Sequence, residues 1–126
     1  MARIATLQNT DPWTKAGVMI RQDLTGNAPN ALMLVSVGNG LSFQQRATSG
    51  GQSTYIQGPS GVAPQWVRLV RSGTTLTGYS SSDGTTWTAR GSFTITLPTQ
   101  VYIGLAVTSH NAAATATATF SNVTVQ

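Results

Sequence analysis

The sequence predicts an all-β chain: an antiparallel β-sandwich, a jelly roll, of about nine or ten strands. Three observations predict it. Apolar residues recur with a period of two. Turn-forming pairs built on Gly, Asn, Ser and Asp fall at short intervals between these runs. No segment carries an i, i+3, i+4 apolar repeat over three turns, while β-branched residues and glycine occur throughout.

The first strand is expected near 2–8. The next, near 14–22, holds "TKAGVMIRQ", where Ala16, Val18 and Ile20 point one way and Lys15, Gly17, Met19 and Arg21 the other. The loop "GNAPN" leads to strands near 30–37 and 41–48. Between them Asn39-Gly40 accepts positive φ at both turn positions and favours a two-residue hairpin. A short strand near 52–57 precedes "GPSGVAP", where Pro and Gly exclude regular pairing. In "QWVRLVR", within 65–72, Val67 and Leu69 oppose Trp66 and Arg68, and Ser72-Gly73 turns the chain into a strand near 74–81. Strands near 86–95 and 100–109 follow, the latter alternating Val101, Ile103, Leu105 and Val107 with Tyr102, Gly104, Ala106 and Thr108. The last strand is expected near 115–125. There "HNAAATATATF" sets small side chains inward, and Phe120, Val123 and Val125 continue the alternation. The "NVT" at Asn122 lies within that strand and reads as a chance match to a glycosylation sequon.

The 126 residues suit one domain with one core. The longest apolar run, Ala31 to Val35, is too short to cross a bilayer, so no membrane partner is expected. Charged residues make up 8% of the chain, against roughly 25% in an average soluble protein. Thr, Ser, Asn, Gln and Gly supply the polar surface instead, a composition typical of secreted β-proteins and pointing to an extracellular or cell-surface location. There is no cysteine, hence no disulfide and no thiolate metal site. No signal peptide precedes Ala2, so an exported protein would contain these residues as a mature domain or an excised piece. The net charge is +4, yet the seven basic residues are dispersed and match no nucleic-acid motif; the high pI reflects a shortage of acids, and no nucleic-acid partner is expected.

The stretch "GYSSSDGTTW", Gly78 to Trp87, has the residue types of a chemical loop. Catalysis would need more. The chain has no glutamate, and Asp11, Asp23 and Asp83 each lie in or beside a turn, whereas a glycosidase of the usual kind needs two facing carboxylates. The one histidine, His110, has no nucleophile elbow to serve and reads as a polar residue at a strand end. One His, no Cys and scattered Asp exclude a closed zinc site, and the acid-rich loop of a strong calcium site is missing. No catalytic residues, metal or cofactor are therefore expected. The stretch reads as a hairpin in which Asp83 accepts hydrogen bonds from following amides and Trp87 lies across the polar backbone.

"DPWTKAGVMIR", "NALMLVSVGNGLSFQQR", "PQWVRLVRSGTTLTGYSSSDGTTW" and "VYIGLAVTSH" followed by "ATATFSNVTV" together cover nearly the whole chain. In order and spacing they resemble bacterial extracellular domains of unknown function in the concanavalin-A-like lectin/glucanase superfamily, the group whose yeast relative was labelled a regulator of enolase. The resemblance implies a β-jelly-roll attached to secreted enzymes or surface proteins and often taken to bind carbohydrate, with no activity common to the family. The superfamily's glucanase branch uses a glutamate-aspartate-glutamate strand, which a chain without glutamate lacks. Family members commonly carry further strands before the segment resembling "ARIATLQNTDPW". The resemblance thus implies a shortened version, an excised piece, or a subunit whose missing strands a neighbour replaces.

A sugar-binding face needs flat aromatic rings with amides, hydroxyls or arginines around them. Parity puts Trp66 with Arg68, Gln44 with Arg46, and Met19 with Arg21. If their strands were neighbours in one concave sheet, Arg21, Gln44, Arg46, Trp66 and Arg68 would form a stripe bordered by Tyr79, Trp13 and Trp87. A tryptophan in a small sandwich also serves as a core or edge plug, and arginines stack on tryptophans. The leading expectation is a non-catalytic, lectin-like module with a polysaccharide or glycan as partner. The alternative is a structural β-subunit that forms homo-oligomers or fibres through an open sheet edge.

Overall fold

The computed structural model describes residues 1–126, which form ten strands and no helix. These are β1 (Ala2–Leu7), β2 (Lys15–Arg21), β3 (Asn30–Ser36), β4 (Leu41–Arg46), β5 (Thr54–Gln57), β6 (Gln65–Ser72), β7 (Thr75–Ser81), β8 (Thr88–Thr94), β9 (Tyr102–Thr108) and β10 (Ala118–Ser121). They build two antiparallel five-stranded sheets. Sheet A runs β10-β1-β6-β7-β8 and sheet B runs β5-β4-β3-β2-β9. The chain is a β-sandwich.

The alternation read from the sequence decides which side of each sheet is dry. In sheet B, Ala16, Val18 and Ile20 of β2 align with Ala31, Met33 and Val35 of β3 and with Leu41 and Phe43 of β4. All are buried, and they meet Ala2, Ile4, Val67 and Leu76 of sheet A in one core. Phe43 packs on Phe93 of β8 with ring centres 4.8 Å apart. Gly78 makes this approach feasible, because a Cβ there would lie 2.9 Å from both Met33 Sδ and Phe43 Cγ. The end of the sandwich beyond β8 is plugged by buried Ile95 and Leu97. The Arg71 guanidinium holds that plug by donating to the carbonyls of Leu97 (2.7 Å) and Pro98 (2.8 Å).

Three local expectations are corrected. β3 and β4 are joined by residues 37–40, not by a two-residue turn. Ser36 N and Oγ both donate to Gly40 O at 2.8 Å, and the loop docks through Gly38 N and Asn39 Nδ2 onto Pro12 O, which rewards the longer connection. At the β6–β7 hairpin, Ser72 pairs with Thr75, so Gly73-Thr74 is the turn pair, one residue later than expected. The Ala/Thr segment contributes only Ala118 onward to a strand. Residues 111–117 are irregular, because Asn111 turns the chain with its own carbonyl and side chain toward Ala114 N and Ala113 N. β10 then ends at Ser121, and Asn122 adopts φ 53°, outside the strand in which the sequence put it.

Candidate functional site

The eight side chains singled out in the sequence divide into two groups on opposite outer faces of the sandwich. Trp66 and Arg68 (β6) and Tyr79 (β7) belong to sheet A, and Trp87, in the loop just before β8, stacks on Arg68 there. Arg21 (β2), Gln44 and Arg46 (β4) belong to sheet B, where Trp13 joins them. The continuous stripe conditional on neighbouring strands is therefore not formed. β6 lies in one sheet, and β2 and β4 in the other.

On sheet A the aromatic groups satisfy one another. Register puts Arg68 opposite Tyr79 and Trp66 opposite Ser81. The Arg68 guanidinium carbon lies 4.6 Å from the Tyr79 ring centre and 4.4 Å from that of Trp87. Such stacking exploits the negative ring face while the planar cation stays weakly hydrated. The hairpin loop at 82–87 folds back over this face, and Gly84 is so close to Trp66 that a Cβ would come within 2.7 Å of its ring. "GYSSSDGTTW" is thus a folded cover. Asp83 Oδ1 accepts from Thr85 N and Thr86 N, both at 2.8 Å, and from Ser81 Oγ at 2.8 Å. These bonds, the backbone ones foremost, hold its carboxyl well below the usual carboxylate range.

Sheet B offers a more open arrangement on its outer face. One row across it reads Tyr55, Gln44, Leu32, Met19, Gly104; the next reads Arg46, Asn30, Arg21, Tyr102. Trp13 stands edge-on to Tyr55, ring centres 6.1 Å apart at 68°. Lys15 Nζ lies 5.4 Å from the Trp13 ring centre. A ring reaching from β2 toward β5 must cross β3 and β4, and there Leu34 and Ser42 are fully buried although they point away from the core. Ser42 Oγ has no hydrogen-bond partner, and the Gln44 amide makes no bond within the chain. Tyr55 is 55% exposed. Sequence reading had missed Lys15, Ser42 and Tyr55. The signal for Tyr55 lay in parity with Gln44 across β4–β5, but β5 has only four residues.

Arg21 and Arg46 border this face as braces. Arg21 Nε donates to Asp23 O at 2.6 Å and its NH2 to Thr25 O, while Arg46 donates to Gly51 O at 3.0 Å and Gly26 O at 2.9 Å. They tie the 22–29 and 47–53 loops to the sheet through carbonyls, and no arginine has a carboxylate partner. The one contact of ion-pair length joins His110 Nδ1 to Asp11 Oδ1 at 3.1 Å. Burial beside Trp13 lowers the Lys15 pKa from 10.5. Hydrogen bonds from Thr25 lower that of Asp23. No three His, Cys, Asp or Glu side chains come together as a metal cluster would require.

An apolar cleft lies elsewhere, between the free part of β6 and β9. It encloses about 520 Å³ and is lined by Leu69, Val18, Ile20, Ile103 and Leu105 from the inner faces and by residues 123–126. Ile103, Leu105 and Val107 align with Ile20, Val18 and Ala16 and so point inward, yet they are 52%, 45% and 43% exposed. Parity put them on the core face correctly. Ile103 and Leu105 face the open cleft opposite Leu69 and Arg71 of β6. No helix is long and apolar enough to cross a membrane. No protein-family model, curated protein or solved structure matches the chain.

Proposed function

We propose that the chain is a non-catalytic, lectin-like module that takes carbohydrate on the outer face of sheet B. One observation carries this reading: the Trp13–Tyr55 pair stands beside an uncommitted Gln44 amide and the Lys15 ammonium on a single sheet face. The exposed Tyr55 ring offers a flat surface to the apolar side of a pyranose with the Trp13 indole beside it, while amide and ammonium donate to its hydroxyls or to a carboxylate or sulfate substituent. The absence of bond-breaking chemistry in this reading rests on the carboxylates. Asp11, Asp23 and Asp83 each accept backbone amides of their own turns, and their hydrogen bonds are spent on loop geometry. A bacterial origin is what the family resemblance implies, and a secreted or cell-surface setting is what that resemblance and the charge-poor composition imply.

Affinity electrophoresis through neutral and anionic polysaccharides tests the reading. Retardation by at least one glycan is expected, weakened about tenfold in Gln44→Ala and in Trp13→Ala. Binding to an anionic glycan should also weaken with salt. Unretarded migration in every gel, or retardation indifferent to both substitutions, removes the proposal.

A second reading, association through a strand edge, is favoured by a separate observation. β1 pairs with β6 only as far as Ala2 opposite Val67, although β6 continues to Ser72 beside the apolar cleft. Light scattering after size exclusion measures how far copies of the chain associate. A strict monomer removes self-assembly from this reading.

A further inference from the structure

The cleft lies in line with β1, beside the part of β6 that has no strand partner on that side. β1 lies between β6 and β10 in sheet A. The segment after β10 stays beside β1, one residue out of the Arg3–Ser121 register, exchanging Met1 N→Thr124 O (2.7 Å) and Thr124 N→Met1 O (2.9 Å). In line with β1, the cleft is therefore bounded by β6 on one side and residues 123–126 on the other. Two sheet spacings separate the flanks of one strand, about 9.5 Å, which admits one extended backbone but not a helix of about 10–12 Å diameter. The cleft also wraps around the edge of β6, reached by Leu69 and Arg71 from the inner face and by Arg68, Val70 and Trp87 from the outer. A groove that touches both faces of a sheet at one strand edge lies in the plane of the sheet.

Three kinds of group line it. The alternation of an antiparallel ladder closed at Ser72–Thr75 turns the backbone groups of Arg68 and Val70 toward β7 and those of Leu69 and Arg71 into the groove. The floor is aliphatic, from Val18, Ile20, Ile103 and Leu105. At the outer rim sits Arg68, which has no carboxylate partner. Unpaired amides and carbonyls call for a backbone, the floor for aliphatic side chains at every second position, and the rim for acidic groups between them. A second copy of this chain fits poorly. It carries +4, has three acids in all, and contains no run in which acids alternate with aliphatic residues.

Deepening the edge-association reading, we infer that this cleft is an acceptor groove for one extended strand of another polypeptide, with aliphatic side chains at alternate positions and acidic ones between. The probe is a capped peptide of about six residues alternating valine and aspartate, a length matched to the free stretch of β6. Its partners are a lysine-for-aspartate version and a version with proline replacing two valines.

Amide hydrogen exchange of the intact protein should slow at Leu69 and Arg71 with the valine–aspartate peptide, and Trp87 fluorescence should shift. The lysine peptide should bind at least about tenfold more weakly at low salt, and the proline peptide should leave exchange unchanged. Leu105→Asp, at a half-exposed position, should lower affinity about tenfold, with Ile103→Thr as a milder second variant. Unchanged exchange at saturating peptide overturns the inference, as does equal binding of the lysine peptide or indifference to both floor variants. If the protein alone is a dimer with Leu69 and Arg71 already protected, the occupant is a second copy; this inference falls and edge association stands. A monomer that no peptide protects ends both. Gln44→Ala should not alter peptide binding, which keeps the test independent of the glycan face.

Discussion

The Arg68 guanidinium carbon lies 4.4 Å from the ring centre of Trp87, so the end of a hairpin loop is clasped to the middle of a neighbouring strand. The contact joins a residue of β6 to one that follows β7, and the Tyr79 ring centre lies 4.6 Å from the same guanidinium carbon. Removing the plane as well as the charge should matter. Arg68→Leu is expected to cost about 1–2 kcal/mol in chemical denaturation and to red-shift tryptophan emission. Arg68→Lys should recover part of the stability, since an ammonium retains the attraction but not the flat packing. Equal stability of all three proteins would show that the stack is incidental.

Gly84 has φ +77°, and a Cβ there would meet the Trp66 ring at 2.7 Å. Gly84→Ala thus combines backbone strain with a clash against a large, partly buried side chain. The expected loss is about 1–3 kcal/mol, read from the urea midpoint. A loss below about 0.5 kcal/mol would mean that the loop moves off Trp66 at little cost.

Asp83 makes the hairpin acid-sensitive. Its folded-state pKa is depressed below the ordinary 3.8, so its contribution is fully present above that value and is lost as pH falls through the lower folded value. Thermal melts of the wild type and Asp83→Ala should therefore differ most at neutral pH and converge at pH below 3.8. A gap that stays constant into strong acid contradicts the assignment of the stabilisation to the ionised carboxylate.

Lys15 acts with the same sign in the alkaline range, through burial of a cation instead of hydrogen bonding of an anion. Burial lowers its pKa from 10.5, so the charged form is disfavoured in the folded protein below the folded pKa. That cost is relieved as pH rises through the depressed value toward 10.5. Lys15→Met keeps the apolar stem beside Trp13 and should lack this alkaline rise in stability. Parallel pH profiles for both proteins would refute the desolvation of Lys15.

Much of the architecture was legible in the sequence because its causes are local. "TKAGVMIRQ" and "QWVRLVR" carry their inner and outer faces in side-chain parity, and Gly73 and Gly84 mark turns by their tolerance of positive φ. Where a turn depended on a distant partner, reading failed, as at 37–40, whose length depends on Pro12 O. The candidate face was legible only in fragments. Gln44 and Trp13 were singled out, but Lys15 and Tyr55 acquire meaning from standing next to Trp13, separated from Tyr55 by 42 positions in the chain.

By itself the sequence determined the strand content, the face to which each side chain belongs and the scarcity of acids, since each is a property of neighbouring residues or of composition. The tertiary structure alone decided that β6 joins sheet A while β2 and β4 join sheet B, which separates Arg68 and Trp66 from Arg21 and Gln44. It also decided that Ile103 and Leu105, apolar and inward by parity, line an open groove. The reason is that period two assigns a residue to a side, whereas neighbours and burial depend on which remote strands pair and on whether another layer lies opposite.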